Sequence, residues 1–271
     1  MRTVRAALAL QRAVPGETDR NLDRCLILAA EAADQGADVV LFPELNLTGY
    51  TTSRRDLFQL AEPVSGKLAA SISAFAVQKS IAILAGMAER DRGGNLFATH
   101  LAAMADGTVH RYRKIHIPPP EKQLFTPGSE VTVFDLPGLE TRFAMELCFD
   151  AHFPELSRAF ALQGADIVFI PHASPRGTPA EKYRSWMRHL SARAFDNGLF
   201  VLVCNQAGDN KNGLTFPGVA LALGPDGRVI KKRFQNKEGL VLATLEREAL
   251  NEVRNHRMKY FLPHGRKDLF P

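Results

Sequence analysis

The chain has 271 residues, 45% of them hydrophobic, and its 34 basic and 29 acidic side chains leave a net charge of +5. That length suits one large domain or two small ones with a substantial core, and so small a surplus favours anionic partners only slightly. The three cysteines lie far apart with no CxxC, and the eight histidines show no HExxH or other paired spacing, so neither a disulfide framework nor a metal centre is expected. No apolar run approaches membrane-spanning length. In MRTVRAALALQRAV the stretch AALAL stops at Gln11 and Arg12, too short for a signal-peptide core, so a soluble cytoplasmic protein is expected. The basic clusters RYRK (111–114) and KKR (231–233) are flanked by strand-like residues, which predicts solvated strand edges and no nucleic-acid partner.

In chain order, VRAALAL (4–10) reads as a buried strand. A helix follows with Leu22, Leu26, Ala29 and Ala33 on one face, Thr18 or Asp19 as its cap and Gly36 as its stop. ADVVLF (37–42) is continuous and β-branched, as a strand covered on both faces would be. Ser65 or Gly66 opens a second helix carrying Leu68, Ile72 and Phe75, and SIAILAGMA (80–88) is the next buried strand. FATHLAAM, Asp106-Gly107 and VHRYRKIHI predict a hairpin with a tight two-residue turn. VTVFDL (131–136) and RFAMEL (142–147) read as strands, FPELSRAFALQG (153–164) as a helix, and ADIVFI (165–170) as a strand. One longer helix is predicted with Tyr183, Trp186, Leu190 and Ala194 on one face before Gly198. LFVLVCN (199–205), VALALG, a Pro225-Asp226-Gly227 turn, RVIKK and LVLATL then close an antiparallel region. Strands interleaved with roughly four helices predict a layered α/β architecture. No linker or repeat divides the chain, so residues 1–271 are expected to form a single domain, with a charged tail from about 245 that wraps over its own chain or a partner subunit.

Polar residues break the apolar pattern at three places. Glu44 stands at the carboxyl end of a strand, where open α/β sheets bind ligands. Lys114 ends a strand ahead of Pro118, Pro119 and Pro120, with Glu121 just beyond. Cys148 sits between an apolar run and Phe153-Pro154-Glu155, which resembles a first helical turn. Taken singly, Glu44 reads as a cap or a solvated carboxylate, Lys114 as an edge charge, Glu121 as a loop carboxylate, and Cys148 as an inert apolar residue. A nearby helix N-terminus would favour the Cys148 thiolate. Cys25 and Cys204 fit the inert reading.

Together, FPELxxxGY with Glu44, RKIH followed by FTPG with Lys114, and ELCFDAHFPE with Cys148 resemble the nitrilase superfamily of carbon-nitrogen hydrolases. GADIVFIPHAS, RAFDN, CNQAG and the terminal RKDLF extend the likeness over nearly the whole chain. The resemblance implies a four-layer αββα sandwich that forms a homodimer or higher homo-oligomer. It also implies a Glu44-Lys114-Cys148 triad supported by Glu121, with no cofactor. In the chemistry it implies, the thiolate attacks a carbonyl carbon and Glu44 moves the protons, while Lys114 and the Phe149 N–H stabilise the oxyanion. Lys114 is also expected to depress the thiol pKa. Ala220 stands where many members have serine and Asp196 where glutamate is common, departures that bear on the subunit arrangement.

Nitrile-hydrolysing members commonly have tryptophan after the nucleophile. Phe149-Asp150 instead resembles the amidase and carbamoyl-hydrolase branches, and the expected substrate is a small amide, with a ureido acid as the alternative. A nitrile, or a silent binding protein on the same fold, stands further off. Ala151 and His152 occupy the places of the paired arginines in the D-carbamoylase branch, so a substrate carboxylate would depend on Arg176 or another residue, with His172 beside it. Alone, His172 reads equally as a structural histidine and Arg176 as an exposed loop charge.

Overall fold

A computed structural model describes residues 2–266, 268 and 269. Lys267 and Phe270 of the RKDLF motif lie outside the described residues. The first sheet contains β1 (Val4–Leu10), β2 (Val39–Leu41), β3 (Ala82–Arg90), β4 (Leu96–Ala103), β5 (Val109–Arg113) and β14 (Gly239–Leu245), in the order β14-β1-β2-β3-β4-β5. The second contains β6 (Phe134–Leu136), β7 (Thr141–Met145), β8 (Ile167–His172), β9 (Phe200–Asn205), β12 (Val219–Leu223) and β13 (Val229–Phe234), in the order β13-β12-β9-β8-β7-β6. A short hairpin, β10 (Ala207–Asp209) with β11 (Thr215–Pro217), stands apart.

Alternation along β1 generates the layers. Val4, Ala6, Leu8 and Leu10 join the core shared with β9 and β12 of the other sheet, while Ala7 and Ala9 pack beneath α1 (Thr18–Asp34) and α3 (Lys67–Lys79). On the far side, α4 (Pro154–Leu162), α5 (Pro179–Met187) and α6 (Leu190–Asn197) bury Phe160, Trp186, Leu190 and Ala194 against the second sheet. The result is the expected αββα sandwich. Strands covered on both faces carry no polar alternation, which is why β1, β3, β8 and β9 read as continuous apolar runs.

Several elements differ from the sequence reading. The buried face of α1 is Leu22, Cys25, Leu28, Ala29 and Ala32, one step round from the predicted stripe, and its cap position is Glu17 without a side-chain bond. The β4–β5 turn spans Met104–Gly107, closed by the Gly107 N–H on the Met104 carbonyl, with only Gly107 at positive φ (88°), so it is not a two-residue turn. The long helix after Gly177 is two helices. His189, at φ −125° and ψ −38°, leaves helical geometry and meets the His152 ring in a tilted contact at 4.4 Å, while α5 covers β12 and α6 packs on α4 and β9. A further helix, α2 (Arg54–Leu60), is capped by Ser53.

The tail contains α7 (Arg247–Arg254), which buries Leu250 and Val253 on its own chain. Arg254 fixes it there, donating to Asp166 Oδ1 at 2.6 Å, the Ala165 carbonyl at 2.7 Å and the Gly198 carbonyl at 2.9 Å. Arg254→Ala leaves those acceptors without their donor and is expected to lower stability by about 1–3 kcal/mol in urea denaturation; an unchanged midpoint would show that the tail is held by something else.

Candidate active site

Glu44 lies just past β2 on a loop laid directly over β3. Leu45 takes a left-handed conformation (φ 54°), and Asn46 Oδ1 accepts from the Gly86 N–H at 2.7 Å. A Cβ at Gly86 would stand 2.5 Å from Leu45 N, so only glycine lets the loop settle. Behind it, Asn46 donates to Gln11 Oε1 at 2.9 Å and Gln11 donates to the Asn21 carbonyl at 2.8 Å. From the second sheet, the Gln206 side chain donates to the Glu44 carbonyl at 2.8 Å, and the Ala173 N–H donates to Glu44 Oε2 at 3.0 Å.

Lys114 extends β5 by one residue, and its side chain is wholly buried. Its ammonium donates to Glu44 Oε1 at 2.8 Å and to Glu121 Oε2 at 2.9 Å. Pro118, at φ −66° and ψ 155°, carries the chain in polyproline geometry into a 3-10 turn, Pro119–Glu121, which aims Glu121 inward. Tyr50 donates to its other oxygen at 3.1 Å.

Cys148 opens a 3-10 turn, Cys148–His152, at φ 46°, a strained conformation for a side-chain-bearing residue. Asp150 ties this elbow down. Its buried carboxylate accepts from the Leu147 N–H at 3.0 Å, the Tyr112 hydroxyl at 2.8 Å and the His116 N–H at 2.7 Å, with His116 Nδ1 at 2.8 Å. Pro154 then takes the first turn of α4, as its position predicts.

Electrostatics join the three segments. Burial alone would lower the Lys114 pKa, but Glu44 and Glu121 outweigh it and hold the ammonium well above its ordinary value. Burial raises the Glu44 pKa, with Lys114 opposing. The Cys148 thiol is pushed up by burial and then by the Glu44 charge, against the pull of Lys114 and, more weakly, Lys182. Lys114 lowers the thiol pKa as expected, but it is outweighed, and the expectation that a nearby helix N-terminus favours the thiolate is corrected. The helix proper starts only at Pro154, and the local carboxylates outweigh the cations.

Cys148, Phe149 and Glu121 line an open cavity of about 1360 Å³ together with His172, Arg176 and Trp186. His172, at the end of β8, is buried with its ring tilted against Trp186 at 4.6 Å, while Arg176 is exposed at the rim. Burial pushes the His172 pKa well down, so the imidazole is neutral. Among the described residues no group of three or more His, Cys, Asp or Glu side chains is arranged to hold a metal ion, and no helix is long and apolar enough to cross a membrane. Sequence reasoning missed Asp150, Tyr50 and Lys182, which also lines the cavity. Only Asp150, two residues after the cysteine at the head of a turn, carried a local signal.

The fold is a four-layer αββα sandwich in which Cys148 and Glu121 line one cavity and Lys114 bridges Glu121 to Glu44. The chain belongs to the carbon-nitrogen hydrolase family, whose profile matches residues 5–255, within the nitrilase superfamily. An (R)-stereoselective amidase from a Pseudomonas species is 32% identical over 217 residues, 79% of this chain and 75% of that protein. A nitrilase from Pyrococcus abyssi is 32% identical over 251 residues, 89% and 88% of the two chains. The Nesterenkonia AN1 amidase superposes with a TM-score of 0.83 at 27% identity, covering 98% of this chain and 95% of that one. Another of its structures, with a TM-score of 0.79 at 25% identity and the same coverage, carries the acetamide moiety of fluoroacetamide on the active-site cysteine.

Beneath the elbow lies Glu146, fully buried, its Oε1 accepting from Ser157 at 2.6 Å. Burial pushes its pKa up to about 8, so the folded chain holds a proton there that the unfolded chain releases near the ordinary carboxylate pKa. The contribution is complete in acid and is lost as pH rises through about 8. Between about pH 5 and about pH 9 the wild type is expected to lose roughly 2–4 kcal/mol relative to Glu146→Gln in denaturation titrations; parallel curves would show that Glu146 is ionised throughout.

Proposed function

We propose that the protein is an amidase that hydrolyses a small non-peptide amide through a thioester on Cys148. The carrying observation is the cluster in which Lys114 bridges Glu44 and Glu121 within electrostatic reach of Cys148 on the wall of one cavity. The covalent adduct on the cysteine of the Nesterenkonia amidase supports the nucleophile, and the amidase and nitrilase relatives support the reaction class.

Because the resting thiol is protonated, attack and deprotonation go together. Cys148 Sγ bonds to the amide carbon as Glu44 accepts the thiol proton, and the raised Glu44 pKa makes it a stronger base than an ordinary carboxylate. The carbonyl π electrons move onto oxygen, where the Lys114 ammonium and the Phe149 N–H receive the charge. The first N–H groups of a helical turn lack acceptors of their own, which leaves Phe149 suited to this role. Collapse of the intermediate breaks the C–N bond as Glu44 returns its proton to nitrogen, releasing ammonia or an amine. A water deprotonated by Glu44 then adds to the thioester, and the thiol leaves with that proton. Glu121 keeps Lys114 aimed and charged across both half-reactions.

Phe149-Asp150 after the nucleophile favours an amide over a nitrile. In a panel of simple amides and ureido acids assayed for ammonia and carbon dioxide, ammonia release without carbon dioxide is expected, and carbon dioxide would redirect the reading to carbamoyl hydrolysis. Cys148→Ala is expected to lower turnover on the order of a thousandfold or more while remaining folded. Acid-quenched wild type should gain the mass of the acyl half on Cys148, and activity of the alanine variant near wild type would remove the mechanism.

A further inference from the structure

Transfer of the Cys148 proton to Glu44 moves a negative charge from oxygen to sulfur, and the two places are unequally prepared for it. On Glu44 the charge is held by the Lys114 ammonium at 2.8 Å and the Ala173 N–H at 3.0 Å. On sulfur it leaves those bonds behind. Lys114 cannot follow it freely, because Glu121 holds the same ammonium at 2.9 Å and the side chain is wholly buried. Two carboxylates against one ammonium also leave the cluster one negative charge in excess, which opposes further charge on the sulfur beside it. The step calls for a cation that no carboxylate already holds.

Lys182, on α5, is only 9% exposed and lines the cavity together with Cys148. Its ammonium donates to the Ser174 hydroxyl at 2.6 Å, and among the described residues no carboxylate lies within ion-pair distance. Ser174 is itself fixed, its N–H donating to Asn205 Oδ1 and its carbonyl accepting from the Asn205 amide, both at 2.9 Å. The ammonium is thus held in place without being neutralised, an arrangement that buried lysines seldom show. The adjacent Glu181 does not serve it, since that carboxylate accepts from the Thr178 N–H at 2.8 Å and the Thr178 hydroxyl at 3.0 Å. Burial lowers the Lys182 pKa, Cys148 acts in the opposite direction, and Arg176 at the rim adds to the lowering. Reciprocally, Lys182 pulls the thiol pKa down. The other titratable groups on the wall carry no charge: His172 and His152 are held below the ordinary imidazole range by burial, and Tyr50, bonded to Glu121, keeps its proton.

We infer that Lys182 serves the reaction through Cys148: an ammonium fixed by Ser174 and left without a carboxylate, it supplies the positive charge that offsets Glu44 and Glu121 while the sulfur turns negative and attacks. This rests on the amidase reading and deepens its first step. The Sγ–H bond breaks, the proton goes to a Glu44 oxygen, and the electron pair left on sulfur forms the bond to the amide carbon. Glu44, Glu121, Lys114, Lys182 and the thiol sum to zero charge before the transfer and after it. Without Lys182 the same set carries one negative charge throughout, and sulfur has only the shared Lys114 to lean on.

The test is the rate at which uncharged iodoacetamide alkylates Cys148 as pH is varied, read by peptide mass so that Cys25 and Cys204 do not contribute. In Lys182→Met the rate at neutral pH is expected to fall on the order of tenfold and the rising limb of the profile to move up by about one pH unit, while Lys182→Arg stays within about threefold of wild type. Lys182→Gln repeats the measurement if methionine prevents folding. With butyramide, a neutral amide, kcat should fall in Lys182→Met and KM should hardly change, since the charge acts on sulfur and not on the substrate. An unchanged alkylation profile in Lys182→Met, an equal loss in Lys182→Met and Lys182→Arg, or a loss confined to KM would overturn the assignment. Because alkylation needs no turnover, the two readings separate. Lys182-dependent alkylation in a protein that releases no ammonia from amides defeats the amidase reading and leaves this one standing; Lys182-independent alkylation in a protein that does release it defeats this one alone.

Discussion

An ammonium group with no exposure to water must be surrounded by negative charge, and the burial of Lys114 sets that requirement at the centre of this protein. Its two carboxylates come from different parts of the chain, Glu44 after β2 and Glu121 after the prolines that follow β5, so both loops must be in place before the charge is tolerable. The second sheet completes the arrangement through the Ala173 N–H and the Gln206 side chain, which hold Glu44 by its carboxylate and its backbone. Tyr112 of β5 reaches the other way, to Asp150 under the cysteine elbow. Neither sheet alone carries a finished site, and docking of the sandwich and assembly of the site are one event.

The same low-dielectric setting determines how the thiol is used. A surface cysteine beside a lysine would ionise more readily. Here burial and then the Glu44 and Glu121 charges raise the thiol pKa, against the pull of Lys114 and Lys182. The left-handed backbone at Leu45 and Cys148 belongs to this picture. Each conformation turns the chain sharply at the end of an apolar run, and each is held by hydrogen bonds from neighbouring segments, which is how strain persists at a site.

What was legible in the sequence follows from where the information is stored. Strands sandwiched on both faces announce themselves by unbroken apolar composition, and β1, β3, β8 and β9 needed no tertiary context. Glu44, Lys114 and Cys148 broke the apolar pattern near strand ends and Glu121 read as a loop carboxylate past the prolines, and the family likeness assembled them. The split of α5 from α6 was not visible, because no proline or glycine marks it; it depends on His189 meeting His152, which lies far away in sequence. Helix α7 was hidden for a similar reason, since a mostly charged segment becomes a packed helix only when Asp166 and two carbonyls await Arg254. Lys182 is the sharpest instance. In an isolated sequence a lysine on an amphipathic helix is a solvated charge, and only its place on the cavity wall makes it unusual.

The two sheets repeat one pairing pattern. Read as β14-β1-β2-β3-β4-β5 and as β6-β7-β8-β9-β12-β13, each runs antiparallel, parallel, parallel, antiparallel, antiparallel. Equivalent strand ends therefore carry equivalent geometry but different chemistry. Where β7 delivers Cys148, β1 delivers Gln11, which is fully buried in the network with Asn21 and Asn46. Where β8 delivers His172 to the cavity, β2 delivers Glu44. The scaffold thus sets different residues at corresponding strand ends: one half contributes Glu44 on a rigidly hydrogen-bonded loop, and the other contributes Cys148 and the cavity wall beside it. Glu44, Cys148 and His172 stand where parallel strands end, because there the backbone turns away and a side chain can face a partner from the opposite sheet, whereas Lys114 follows the antiparallel edge strand β5.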